Sequence, residues 1–429
     1  MNRIVLAMLA CLCASLVEAR QPVAFDETVE AHAAGQLEEA RASFERMAGA
    51  GRVEAQFNLG AMLANGEGGR RNVVEAALWI ALAEEAGFEA ARQALPTIKA
   101  NLDQEQLADF EQRLPAWRDE FSRDALLARH APEFCADCSD DEMSARDAES
   151  RRLDTLIRDK QLTVEREAPR YPRDAAGSGS MGMVLLGGWL NAAGELEQPH
   201  ILFSDPKDVF DRSALRAFSR WRFEWADGEP EGTPIYITQQ IKFTLENMGA
   251  GAPYDSISLK KLERQLDKAD EDLLAAYKSA WTLDFLGLAT DPDNPGAVID
   301  ITHQAARAGI IRAQLDLARR LHRGDKVEAD IEAHRFWLKQ AAFEGVPRAQ
   351  FMLSLKDSLD PEFTDALRTS AAEAGFMPAT LAEIRQQVER REMADRGRLA
   401  QLLDSLPHDW RKYHGGDDMM RRAEALAAR

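Results

Sequence analysis

The stretch that opens Pro169-Arg170-Tyr171-Pro172 and runs on to Leu245 decides the fold at the centre of this 429-residue chain. A glycine-bounded apolar run, Gly182 to Leu190, is followed by a turn at Ala193-Gly194 and a second run, Leu196 to Ser204. Phe210, Ala214, Ala217, Phe218 and Trp221 come next, at spacings that put all five on one helical face. Asp208 or Asp211 is available to cap the start of that helix. After turns at Gly228 and Gly232, the residues Ile235, Ile237, Ile241, Phe243 and Leu245 share one parity, broken by Gln239. Tyr236, Thr238, Gln240, Lys242 and Thr244 share the other. This alternation predicts a strand with one dry and one wet face. Strand, strand, helix, strand closes most simply as a small sheet with the helix on its dry face.

On either side of this stretch the chain reads as helical. Ala55, Leu59, Met62 and Leu63 form one apolar stripe, Gly66 and Gly68 break it, and Val73 to Ala86 resumes with Ala76, Trp79, Ile80 and Ala83 on one side. Gly87 then ends the helix, as glycine does in the left-handed position after a C-terminus. The same hairpin returns 258 residues downstream. Gly51, Ala55, Gln56, Leu59, Gly66, Trp79, Ala83 and Gly87 map onto Gly309, Ala313, Gln314, Leu317, Gly324, Trp337, Ala341 and Gly345 with every residue type identical. The end of the motif recurs at Ile301, Ala305, Gly309 and at Leu367, Ala371, Gly375. Paired helices repeating every 36 residues are the mark of a solenoid, with Trp79 and Trp337 as core knobs.

Composition narrows the function classes. There are 53 basic and 72 acidic residues, for a net charge of −19, which excludes nucleic acid and bulk anionic lipid as partners. The length implies more than one domain, and 45% hydrophobic residues is enough to fill their cores. At the N-terminus, Arg3 precedes the fourteen-residue apolar stretch Ile4 to Val17, and Val17-Glu18-Ala19 carries small residues at cleavage-site offsets. A spanning helix wants about 20 apolar residues. Export with cleavage after Ala19 is therefore the expectation, with an uncleaved inner-membrane anchor as the alternative.

Cys135-Ala136-Asp137-Cys138 reads as a loop holding either a disulfide or a labile redox pair. Zinc would need two further ligands, and His130 is the near candidate. Pro115 is expected to interrupt a helical face made by Leu107, Phe110, Leu114 and Trp117, and Arg146 to Arg166 to form a charged helix. The tail, Arg396 to Arg429, reads as one more helix pair. The letters Gly177-Ser178-Gly179-Ser180-Met181-Gly182 fit a dinucleotide fingerprint, but a strand follows them where a helix is required. No nucleophile elbow, His-Glu-x-x-His or phosphate loop occurs. No catalytic, cofactor or metal residues are assigned, and the carboxylates are read as solvated helix faces.

The central stretch resembles the C-terminal domain of the TonB family. The resemblance rests on Pro169, Tyr171 and Pro172, on Gly182 and Gly194, on the run Ala214 to Phe223, and on Gly232-Thr233-Pro234 and Ile241-Lys242-Phe243. It implies a βαββ-type module that grips an extended peptide of a partner, in that family a segment of an outer-membrane receptor. The flanks resemble Sel-one-like repeats, relatives of tetratricopeptide repeats, which implies protein binding without chemistry. Ala318 and Lys326 depart from glycines of that pattern and predict an irregular loop.

The expected fold class is mainly α, with helical-repeat solenoid segments flanking a small α+β (βαββ) module. The expected order is a signal peptide (1–19), helical repeats (26–135), a charged helical linker (136–168), the module (169–246), a helical linker (247–295), helical repeats (296–390) and C-terminal helices (391–429). The functional expectation is a periplasmic adaptor for proteins or extended peptides, an outer-membrane receptor or envelope complex among them. Tyr236, Thr238, Gln240 and Lys242 are the expected peptide-reading residues, and Trp79, Ala83, Gly87, Trp337, Ala341 and Gly345 the repeat core. An energy transducer for outer-membrane transport and an envelope enzyme are the alternatives.

Overall fold

In a computed structural model the helices fall where glycine and capping residues allow them to start and stop. The structure describes residues 21–136, 138, 156–157, 160–177, 182–191, 193–205, 208–226, 235–243, 264, 266–285, 294–355, 359–390, 393–406 and 418–428. The expected signal segment, Gly228, Gly232, Pro407 and Gly415-Gly416 lie outside these. No helix among the described residues is long and apolar enough to cross a membrane.

The chain divides into two compact units, the first running through His130 with 342–345 and 360–366, the second taking the rest. The first unit holds α1 (Phe25–Ala33), α2 (Leu37–Gly49), α3 (Val53–Asn65), α4 (Val73–Glu85), α5 (Glu89–Ala100), α6 (Gln104–Phe121) and α7 (Arg123–Arg129). Asn72 caps α4 by accepting from the Glu75 amide, and Asp103 and Gln106 close a reciprocal capping box on α6. Pro115 does not interrupt α6, contrary to expectation. Leu107, Phe110, Leu114 and Trp117 pack as one face on Val74, Ala77, Leu78 and Ala81 of α4. That burial outweighs the roughly 3 kcal/mol an interior proline costs.

The second unit contains β1 (Leu162–Glu165), α8 (Arg173–Gly177), β2 (Gly182–Leu190), β3 (Leu196–Asp205), α9 (Asp211–Phe218), β4 (Arg222–Trp225) and β5 (Ile235–Phe243). The chain continues with α10 (Leu273–Phe285), α11 (Ala297–Arg307), α12 (Ile311–Arg323), α13 (Ile331–Phe343), α14 (Pro347–Ser354), α15 (Pro361–Glu373), α16 (Met377–Arg390), α17 (Arg396–Ser405) and α18 (Asp418–Ala427), all of the second unit except the end of α13 from Ala342 and the start of α15 through Ala366, which belong to the first. The sheet order is β3-β2-β5, both pairings antiparallel, with β1 and β4 forming a separate two-stranded ladder. Among the described residues the central module thus has five strands, and the first of them, Leu162–Glu165, lies inside the expected helical linker 136–168 and corrects it there, because its pairing with Arg222–Trp225 makes it extended. α10 packs against α11, which places helical packing of the repeat type inside the expected 247–295 linker.

The helix α9 carries Ala214, Ala217 and Phe218 inward, with Phe210 and Trp221 flanking it, and all five are buried. Phe210, not an aspartate, stands at its N-cap. Tyr171 of the opening motif packs edge-on against Phe210 and Phe243, which stack on each other with centroids 4.4 Å apart. Gly194 is required in its hairpin. Its φ is +78°, and a Cβ there would meet the Phe223 carbonyl oxygen at 2.4 Å.

The repeats keep their register in three dimensions. The bounds of α3 and α4 and those of α12 and α13 differ by the same 258 residues. Gln56 donates to the Ala48 carbonyl at 3.3 Å, and Gln314 to the Ala306 carbonyl at 3.2 Å, so each glutamine ties its helix to the end of the preceding one. Gly66 and Gly324 both cap in the left-handed region. The expected irregular loop is absent. Lys326 adopts φ 59° where Gly68 has 65°, and Ala318 is buried within α12. In the upstream copy a Cβ on Gly68 would meet the Leu37 carbonyl oxygen at 2.1 Å, so glycine is obligatory there. Gly68→Ala is expected to lower the thermal midpoint of the first unit by several degrees, read by calorimetry.

Trp79 packs against Trp117 and Phe121 at 5.2 and 5.1 Å, and Trp337 against His303 and Phe336. Both indoles are buried, with Ala83 and Ala341 fully so, and Gly87 and Gly345 are left-handed. Trp79→Ala and Trp337→Ala should each destabilise their own unit by about 3–5 kcal/mol in denaturant titration. A loss under ~1 kcal/mol would mark a surface position instead.

Candidate functional site

The site grows out of the position of β5 in the sheet. β2 takes the centre because its continuous apolar run suits a strand covered on both faces. β5 then lies at an edge, paired with β2 from Gly182↔Phe243 to Leu190↔Ile235 and, among the described residues, with no other strand. A cavity of about 600 Å³ lies beside it, lined by Thr238, Gln239, Gln240 and Lys242 together with Cys138, Arg319, Arg323 and Gly324.

The two faces of the sheet differ from expectation. Val184, Leu186, Ile237, Ile241 and Phe243 do form the dry face over α9. The opposite face is not free. On the β3 side, Leu185 and Leu202 join a core with Phe351, Ala371, Ile384 and Met420, and Arg385 pairs with Glu197 at 2.6 Å while lying over Trp189. On the β5 side, Gln240 and Lys242 line a second cavity of about 570 Å³ together with Met183, Leu185 and residues of α10 and α12. Thr238 and Gln240 are half-buried and Lys242 is exposed. Gln240 accepts from Arg323 Nη1 at 3.0 Å. The structure therefore brings three of the four expected peptide-reading residues onto these cavities. The side chain of Tyr236 lies outside the described residues.

The second cavity contains a charge network where solvated helix faces are expected from the sequence. Asp316 and Arg320 point into the core of α12 as i and i+4, and Arg320 is 1% exposed. Arg320 Nε donates to Asp316 at 3.1 Å, and its Nη2 to Asp284 of α10. Arg319 bridges Asp316 at 2.9 Å and Asp325 at 2.8 Å, while Lys326 pairs with Asp284. The signal was present in the sequence, because positions 316 and 320 fall in the same inward stripe as Ala313, Leu317 and Leu321. A charged pair in a buried stripe needs partners from another element, and α10 supplies Asp284. Removing one member would leave an uncompensated buried charge.

Cys135 and Cys138 are joined as a disulfide. Phe134 bridges to Val327, the Cys135 amide donates to the Lys326 carbonyl at 3.2 Å, and the Glu328 amide to the Glu133 carbonyl at 2.8 Å. The disulfide thus sits on a segment laid along the loop that carries Asp325 and Lys326.

Residues 167–245 match the model of the Gram-negative bacterial TonB protein C-terminal domain, and residues 53–88 and 311–345 match the Sel1 repeat. The central module is similar to TonB, its helical flanks to Sel1 repeats. Protein TonB of Vibrio cholerae serotype O1 is 36% identical over 94 residues, 21% of this chain and 38% of that protein, so the chain spans well under half of that relative's length. Among solved structures, a protective antigen of uropathogenic Escherichia coli with an SLR fold is similar over 90% of this chain and 77% of its own, at 14% identity and a TM-score of 0.30. The TonB-like module and the downstream Sel1 repeat meet at the two cavities, both within the second unit. Both matched families are non-enzymatic.

The network has a pH signature. Burial opposes the Asp325 carboxylate, but Arg319 and Arg320 outweigh it, and the pKa falls to about 2. Asp316 shifts downward too, the same two arginines overcoming its burial. A depressed carboxylate contributes stability that is complete above its unfolded pKa of about 3.9 and is lost as pH falls through the folded value. The thermal midpoint of the second unit should drop between about pH 4 and pH 2, and Asp325→Asn should lower it at neutral pH while flattening that drop. A parent midpoint indifferent to pH across this window would contradict the network.

Proposed function

We propose that this protein is an exported adaptor of the cell envelope, whose Sel1 repeats hold protein partners and whose TonB-like module captures an extended peptide along β5. The observation that carries the reading is the edge position of β5, with a cavity alongside it. An edge strand offers a row of backbone donors and acceptors to an added strand, and side chains on alternate positions select the sequence. In this reading Thr238, Gln240 and Lys242 do that selecting. Small residues at the repeat contacts and buried indoles give rigid helical surfaces, as protein-holding solenoids require. Export rests on the apolar segment Ile4 to Val17 and the small residues before Arg20. In the envelope, the Cys135–Cys138 disulfide finds the oxidising surroundings in which such bonds persist.

Proline scanning tests the capture. Peptides selected from a random displayed library by the full chain are the probe. Successive amides alternate sides of a strand, so Thr238→Pro and Gln239→Pro remove one outward and one inward donor. One variant should keep the parent circular dichroism and lose the selected peptides; the other should unfold the module. Retention of parent affinity by both would refute strand addition. The mass of the secreted protein reports on export, with an N-terminus near Arg20 expected.

A further inference from the structure

The disulfide between Cys135 and Cys138 is poorly placed to be a staple. Its ring is very short, with only Ala136 and Asp137 between the cysteines, and a short ring restricts the unfolded chain least. Both cysteines belong to one segment, so the bond joins no two elements of the fold. Backbone bonds fasten that segment instead. The Cys135 amide donates to the Lys326 carbonyl, the Glu328 amide donates to the Glu133 carbonyl, and Phe134 bridges to Val327. Neither cysteine is sealed in a core, since both are half-buried. Cys138 lines the cavity of about 600 Å³ beside β5, together with Thr238, Gln239 and Gln240, and of the two cysteines it alone does so. The disulfide is therefore open to attack at one sulfur, from the space next to the sheet edge. The other two cysteines of the chain, Cys11 and Cys13, lie far off in the apolar N-terminal stretch of the sequence.

We propose that the Cys135–Cys138 disulfide is a thiol-exchange site, at which the thiol of a cysteine-bearing extended peptide on β5 joins Cys138. The inference deepens the peptide-capture reading and rests on it for the source of the thiol. The peptide thiol gives up its proton, and the thiolate attacks Cys138 Sγ. A peptide–Cys138 bond forms, the Cys135–Cys138 bond breaks, and Cys135 leaves as a thiolate that takes up a proton in turn. One disulfide replaces another, so the step needs no outside oxidant or reductant. Attack of the Cys135 thiolate on the new bond reverses the step and frees the peptide, a return made easy by the two-residue spacing. Because backbone bonds fasten the segment, opening the disulfide leaves Cys138 beside the strand. A peptide already paired with the edge presents its thiol at a high effective concentration, so exchange is fast for a bound strand and slow for a free thiol. Hydrogen bonds alone hold a strand without cysteine; a strand with a thiol in reach of Cys138 is held covalently as well.

Trapping with N-ethylmaleimide on the oxidised full chain, followed by peptide mapping, tests this. The probes are short capped peptides alternating threonine with valine, with one cysteine placed at each position in turn, their serine counterparts, and glutathione. At least one cysteine peptide should couple to Cys138 and open Cys135 to alkylation, at least about tenfold faster than glutathione does. The serine peptides should leave both cysteines blocked. Offered the same cysteine peptides as disulfide-linked dimers, Cys135→Ser should couple at Cys138 at least about tenfold faster than Cys138→Ser couples at Cys135. Both variants should keep the parent circular dichroism and thermal midpoint; a midpoint lower by several degrees would make the disulfide a staple and overturn the proposal. Coupling at Cys135 instead, or at neither cysteine with any probe, would overturn it as well. Cysteine peptides no faster than glutathione, with library-selected peptides still lost in the Thr238→Pro or Gln239→Pro variant, would overturn the exchange site while strand capture stands. Should both proline variants keep the library-selected peptides, the capture reading fails and this source of the thiol falls with it.

Discussion

Burial of β2 on both faces is the constraint on which the second unit depends. A strand with no exposed face needs cover above and below, and one helix cannot provide both. α9 covers the face made by Val184, Leu186 and Leu190. Helices of the downstream repeat block and the C-terminus cover the other, through Leu185 and the partly buried Trp189. The sheet is therefore built into the repeats as part of their core. This is also what leaves β5 at the edge: β2 has only two hydrogen-bonding sides, and β3 occupies the other.

The repeats show how a fixed backbone accommodates changed chemistry. The glutamine tie between neighbouring helices and the left-handed helix cap recur in both copies. The loop after the cap keeps its conformation while its residues change from Gly68 to Lys326. A non-glycine residue in the left-handed region costs roughly 1–2 kcal/mol. Lys326 pairs there with Asp284, and its neighbour Asp325 with Arg319. The upstream loop has no such latitude, since the Leu37 carbonyl occupies the space a side chain would need. One copy has spent its loop on close packing, the other on an ion network beside the sheet.

That network gives the sheet–repeat junction its character. Arg319 and Arg320 on α12 are held between carboxylates from its own helix, from its own loop and from α10, so they are both fixed and matched in charge. Edge strand, polar strand face and fixed cations come together in one place because three elements far apart in sequence, β5, α10 and α12, share one cavity wall.

What the sequence determined by itself was local and periodic. The 258-residue register, the glycine stops, the five inward residues around α9 and the edge-compatible alternation of β5 were all legible, because helix and strand periods and left-handed glycines are properties of a few adjacent residues. The short strands Leu162–Glu165 and Arg222–Trp225 were not legible, since each is defined by its pairing with the other across 57 or more positions. The continuity of α6 through Pro115 was hidden for a related reason, as packing on α4 outweighs the local penalty. Only the tertiary structure decided that the polar face of β5 looks onto arginines, and that Asp316 and Arg320 are a buried pair instead of a solvated one. A sequence shows which residues share a face, but what that face meets is set by long-range closure, where burial of an apolar strand overrides every local preference.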